Sequence, residues 1–161
     1  MADVGNSNIL QTTGILNVQD ACVVLVKTEW NAAIVDELER GCRSVLEPQV
    51  KKVITLTVPG AVEIPFAISH FARSGKKVDA FIALGCVIKG DTPHFDYVCK
   101  IVADGVLQLN LQGKVPTIFG VLTVDTIRQA NERIGGPHGH KGEEAGMTAL
   151  KMISFTRKRK K

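Results

Sequence analysis

The sequence predicts an α/β fold: a three-layer sandwich in which a four-stranded parallel sheet carries helices on both faces. Two observations predict it. Four short apolar runs, at 21–27, 53–58, 78–84 and 117–121, alternate with longer segments whose apolar residues recur at helical spacing. The stretch 80–87 is apolar at nearly every position, the pattern of a strand covered on both faces.

Each element follows from local signals. Asn31, a good capping residue, opens the first helix, which carries Ile34, Val35, Leu38, Cys42 and Val45 along one face until Pro48 ends it. Pro59 and Gly60 break the chain after the second strand, and the next helix turns Ile64, Ala67, Ile68, Phe71 and Ala72 inward before Gly75. A third helix is expected over 94–111, with Val98, Ile101, Val102, Gly105, Val106 and Leu109 facing the sheet. After the fourth strand, Asp125 is expected to cap a helix reaching Ile134, followed by a glycine-rich loop over 135–142 and a last helix over 143–155. Residues 1–20 are polar apart from Ile9, Leu10, Ile15 and Leu16, which leaves two readings: an edge strand added to a neighbouring subunit, or disorder. The expected organisation is an N-terminal segment 1–20, one α/β domain 21–156 and a basic tail 157–161.

A chain of 161 residues is large enough to bury roughly 70% of its unfolded surface without disulfide or metal support. Of the formal net charge of +4, residues 157–161 contribute +5, so the body is close to neutral at −1. Its basic residues are scattered and aromatics are few, which argues against a nucleic-acid surface. The tail is read as a solvated terminus, against a localisation signal or polyanion contact. Cys22, Cys42, Cys86 and Cys99 show no CxxC pairing and fit buried thiols in a reducing compartment. With no secretory leader pattern and no apolar run near the ~20 residues of a membrane span, a cytoplasmic protein without membrane contact is expected.

In open parallel sheets the ligand sits beyond the carboxyl ends of the strands, so the residues after each strand carry the functional signal. The first strand is followed by Trp30, the single tryptophan, which could stack on a planar heterocycle or pack against the rim. The second is followed by Glu63, set between Pro59 and Pro65, which could cap a helix start or accept hydrogen bonds from a ligand. The third leads through Gly90, Thr92 and Pro93 into a helix. Free N–H groups and the helix dipole favour an anion there, and His94 stands beside it with a side chain suited to proton transfer near neutrality. Lys89 is either a partner of that anion or a solvated charge. The fourth strand carries Phe119, a second aromatic for the crevice or a core residue.

The glycine-rich stretch 135–142 is not a phosphate loop, because it follows a helix and Lys141 lacks the Walker neighbours. His138 and His140 find no third ligand at helical or CxxC spacing, so no metal is expected. Arg133 is the better anion ligand, since a guanidinium can engage phosphate through two parallel hydrogen bonds. Its other reading is a charge complementing a helix C-terminus.

Taken in order, EWN, VPGAVEIP, LGCVIKGDTPHFDYV, PTIFGVLT and the ERIGG to HKG segment resemble the lumazine synthase family across roughly residues 22–155. The resemblance implies a flavodoxin-like strand order. It also implies a transferase of riboflavin biosynthesis that condenses 5-amino-6-(D-ribitylamino)uracil with 3,4-dihydroxy-2-butanone 4-phosphate, giving 6,7-dimethyl-8-ribityllumazine, phosphate and water. No cofactor is implied. By position, Trp30 would stack on the pyrimidine, Ala61, Val62 and Glu63 would line the ring and ribityl pocket, and Cys86, Val87 and Ile88 would offer backbone contacts. Asp91 and Thr92 would hold the phosphate, Arg133 would grip it, His94 would move protons and Phe119 would close the ring pocket, with Lys141 as an accessory candidate. Phe119 and Arg133 would come from an adjacent subunit. The expected assembly is a homopentamer, with a 60-subunit shell left open, and riboflavin synthase is a candidate pathway partner.

The chain departs from the family pattern at three positions. Trp30 and Val62 stand where Phe is common, and Asp91 stands where a small residue is common. Two other classes compete with the enzyme: a non-catalytic flavin- or nucleotide-binding module of flavodoxin-like shape, and an interaction protein working through its basic tail.

Overall fold

A computed structural model describes residues 7–158. Strands β1 (Cys22–Thr28), β2 (Lys52–Val58), β3 (Ala80–Ile88) and β4 (Thr117–Val124) form one parallel sheet in the order β2-β1-β3-β4. Helices α1 (Ala32–Leu46) and α5 (Lys141–Lys158) cover one face. Helices α2 (Ile64–Ala72) and α3 (His94–Gln112) cover the other. This is the predicted three-layer α/β architecture.

The two faces have separate cores because strand side chains alternate. Val23, Leu25, Ile82 and Leu84 pack under α1 and α5, while Val24, Val26, Phe81 and Ala83 pack under α2 and α3. All eight are at most 2% exposed, which explains why β1 and β3, the two inner strands, read as continuous apolar runs. Close approach of α1 and α5 depends on Gly142, where a Cβ would strike the Leu38 carbonyl.

Several boundaries differ from expectation. Strand β3 runs on to Ile88 because its pairing with β4 continues from Phe81 and Thr117 as far as Ile88 and Val124. Helix α4 (Ile127–Asn131) is capped by Thr126, not Asp125: Thr126 and Gln129 form a reciprocal capping box. It stops at Asn131, so Ile134 belongs to a small antiparallel hairpin, β5 (Ile134–Gly136) and β6 (Gly139–His140), within the stretch expected as loop. Helix α5 starts at Lys141 and includes Arg157 and Lys158, two residues expected in the tail. Arg157 is pinned by Asp20 and Asp79. Residues 159–161 and 1–6 lie outside the described residues.

From residue 7 to residue 20 the chain runs as turns laid against α5. Leu16 donates its N–H to Ser154 Oγ at 2.9 Å, and Lys151 donates to the Ile9 carbonyl at 2.6 Å. Among the described residues, no helix is long and apolar enough to cross a membrane.

Candidate active site

Strands β1 and β3 lie side by side, yet the chain leaves them for helices on opposite faces, so a crevice opens at their carboxyl ends. A cavity of about 540 Å³ occupies it, formed by the ends of β1 and β3, the turns after β1 and β2, and the first residues of α3. Trp30, Ala61, Val62, Glu63, Cys86, Val87, Ile88 and His94 all line it.

Trp30 is held by its backbone and left free at its ring. Its N–H donates to the Pro59 carbonyl at 3.3 Å, its carbonyl accepts from Thr28 Oγ1 at 3.2 Å, and the residue is 74% exposed. Ala61, Val62 and Glu63 form a single 3-10 turn ahead of α2. Gly60 brings that turn close to the indole: a Cβ there would stand 3.0 Å from Glu63 Oε2 and 3.6 Å from Trp30 Cδ1.

At the end of β3 the sheet supplies open backbone. Strand β1 pairs with β3 only as far as Lys27 and Leu84, whereas β4 follows β3 to its end. Lys89 gives its N–H to the Val124 carbonyl, so alternation turns the backbone groups of Cys86 and Ile88 toward the cavity. Burial pushes the Cys86 thiol up to about 11, which keeps it protonated and makes it a wall and not a nucleophile.

His94 is the first residue of α3, and its side chain is exposed at the cavity rim. Asp91 and Thr92 lie exposed in the bend before that helix, next to N–H groups at the helix start. The ammonium of Lys89 pairs at 4.0 Å with Asp125, beyond the end of β4.

The remaining predicted residues lie elsewhere. Phe119 and Lys141 line a second, larger groove of about 1130 Å³ between the free edge of β4 and α5. Phe119 is 43% exposed there, and Lys141 donates to Glu144 at 2.6 Å. Arg133 sits between α4 and β5, with Nη1 donating to the Gln129 carbonyl at 2.8 Å. One chain therefore gathers Trp30, Glu63 and His94 but not Phe119, Arg133 or Lys141.

Four cavity residues escaped the sequence reading as site residues: Thr28, Asn31, Gly60 and Val98. Asn31, Gly60 and Val98 lie inside the quoted motifs and Thr28 adjoins one, so membership in or proximity to a motif is their only signal. Asn31 was expected as a helix cap. Instead its side chain makes no cap hydrogen bond, its φ is 57°, and its Nδ2 donates to the Cys86 carbonyl at 2.8 Å. Among the described residues, no three His, Cys, Asp or Glu side chains converge as a metal site.

The chain is similar to known proteins over most of its length. A family model described as 6,7-dimethyl-8-ribityllumazine synthase matches residues 20–157. The chain is 47% identical over 142 residues to a protein of that name from Porphyromonas gingivalis, covering 86% of this chain and 88% of the relative. It is 45% identical over 140 residues to one from Phocaeicola vulgatus, covering 85% and 83%, and 47% identical over 135 residues to one from Bdellovibrio bacteriovorus, covering 83% and 74%. With the match running from the start of the α/β domain to the end of α5, the chain belongs to the 6,7-dimethyl-8-ribityllumazine synthase family.

Proposed function

We infer that the chain catalyses the reaction for which its family is named, the condensation of 5-amino-6-(D-ribitylamino)uracil with 3,4-dihydroxy-2-butanone 4-phosphate in riboflavin biosynthesis. The cavity at the β1 and β3 ends carries this reading, because it sets an exposed indole, a carboxylate, open strand backbone and a histidine around one space. The indole of Trp30 stacks on the pyrimidine, backbone groups of Cys86 and Ile88 meet its polar edge, and Glu63 accepts from its hydroxyl or N–H groups. Phosphate of the second substrate lies at the start of α3, held by N–H groups around Asp91 and Thr92.

The amine of the pyrimidine attacks the ketone and a first water leaves as an imine forms; loss of a proton and of phosphate then gives an enol that becomes a second ketone, which the ribitylamino nitrogen attacks to close the ring with loss of a second water. Each step moves protons, and His94 relays them at the rim. Holding two reactants in one cavity supplies much of the acceleration, so a single proton carrier suffices.

Phe119, Arg133 and Lys141 complete the site from a neighbouring copy. The support is their position: they surround a different part of the chain from His94, and Phe119 stands half-exposed on β4, which among the described residues has no strand on its outer side. A homopentamer is the minimum unit, with a 60-subunit shell as the larger alternative, acting in the cytoplasm upstream of riboflavin synthase. Mixing the two substrates and following lumazine absorbance tests the activity, and a mass measurement tests the assembly. A folded protein that forms no lumazine, or a monomer that turns over at full rate, would overturn the corresponding part.

A further inference from the structure

Asn31 is the only non-glycine among the described residues with positive φ, at 57°. Such backbone costs about 1 kcal/mol or more and persists where the surroundings impose it. It also leads α1 without capping it. A capping side chain accepts from N–H groups of the first turn from an extended backbone, and the left-handed φ and ψ of Asn31 prevent that. The chain thus forgoes both a relaxed backbone and a cap, and gains a hydrogen bond from Nδ2 to the Cys86 carbonyl at 2.8 Å.

That bond spans the crevice. Its acceptor is on the part of β3 that β1 no longer pairs with, and its donor adjoins Trp30. The other ties on this turn run to β2 or stay within it: Glu29 N–H to the Val58 carbonyl, Trp30 N–H to the Pro59 carbonyl, and Thr28 Oγ1 to the Trp30 carbonyl. The Asn31 amide is what fixes the turn relative to β3.

We propose that Asn31 is a positioning residue whose side chain tethers the Trp30 turn to the open end of β3 and so sets the slot between the indole and the β3 backbone. This rests on the proposed function for what enters the slot, a planar pyrimidine, but not for the tether itself. In the αL region Asn is among the few side-bearing residues that fit, and only its amide can both adopt that backbone and donate across the gap.

Two variants separate the backbone from the amide. Asn31→Gly keeps the left-handed turn at no steric cost and removes the donor. Asn31→Asp keeps the shape and places a carboxylate against the Cys86 carbonyl. Trp30 is the single tryptophan, so time-resolved fluorescence anisotropy of the ligand-free protein reports its motion directly. Both variants are expected to raise the fast, local component of the decay. The KM for the ribitylaminouracil should rise roughly fivefold to tenfold, as loss of one hydrogen bond implies, while the KM for the butanone phosphate stays within twofold. Native anisotropy and native KM values in Asn31→Gly would overturn the proposal, since a residue serving only the turn is replaced there without loss. An equal rise in both KM values would overturn it too. Should Asn31→Asp fail to fold, Asn31→Gly decides. A wild-type protein inactive on this substrate pair would sink the proposed function, and the anisotropy result would still decide the tether.

Discussion

The imidazole of His140 packs against the backbone of Gly41, so close that a Cβ at position 41 would overlap Cε1 and stand 2.5 Å from Nδ1 and 2.8 Å from Nε2. Both ring nitrogens are buried without a hydrogen-bond partner among the described residues, so the ring serves as a plate pressed on α1. It pins the β5-β6 hairpin, whose two ends are Arg133 and Lys141, joined by Lys141 N–H to the Arg133 carbonyl at 2.8 Å.

Gly41→Ala should therefore destabilise the fold. Alanine gains about 1 kcal/mol of helix propensity over glycine, yet the overlap with a packed ring costs about 1–3 kcal/mol beyond that gain. Thermal unfolding should show a fall of several degrees, largely restored in Gly41→Ala with His140→Ala, where the ring is gone. A Gly41→Ala protein melting above wild type would contradict the contact.

The sequence reading reached this hairpin only partly, and the reason is physical. His138 and His140 were weighed as metal ligands because neighbours in sequence were the only neighbours visible. The true partner of His140, Gly41, lies far off in sequence on α1. Strands β1 and β3 were legible because burial on both faces leaves an unbroken apolar run, and the crevice was legible because parallel sheets place ligands at strand ends. Thr126 hid behind Asp125, as two good capping residues in succession leave the cap undecided until Gln129 is seen to reciprocate. Asn31 was read as a cap from its residue type, while its bond to Cys86 is set by how β1 and β3 align. That Phe119 and Arg133 stand apart from His94 was implied by family resemblance alone, since no local pattern records which copy a residue serves.

Acid should expose a second dependence, centred on Glu39. Burial raises the pKa of its carboxyl, but hydrogen bonds from Lys27, Thr55 and Arg43 outweigh that and bring it from the ordinary 4.5 to about 2. Those bonds are 2.7 Å from Lys27 Nζ, 2.6 Å from Thr55 Oγ1 and 2.9 Å from Arg43 Nε. A depressed carboxylate stabilises the fold fully above its unfolded pKa, and that contribution fades as pH falls from about 5 toward 2. After solvent screening it amounts to roughly 1–2 kcal/mol. Urea unfolding of wild type and Glu39→Gln should differ by that amount at pH 7, and the gap should close as pH falls through about 2. A constant gap across that range would show that the charge is not the source.

His94→Ala should slow turnover by about 10²-fold without abolishing it, because the proton carrier is lost while both reactants remain held together. Complete inactivity in a folded oligomer would mean that His94 does more than relay protons.

Arg133→Ala should raise the KM for the butanone phosphate by roughly tenfold to a hundredfold, the worth of a charge-assisted contact, and leave the KM for the ribitylaminouracil unchanged. Its distance from the His94 cavity makes a sharper test available. In a mixed oligomer of His94→Ala and Arg133→Ala chains, an interface that pairs His94 of one copy with Arg133 of the next contains a whole site. An interface of the opposite pairing contains neither group. Co-expression should then give turnover well above that of either variant alone, because every second kind of mixed contact regains both the proton carrier and the phosphate grip. Were the site complete within one chain, each mixed oligomer would hold only singly defective sites, and turnover would equal the average of the two parents.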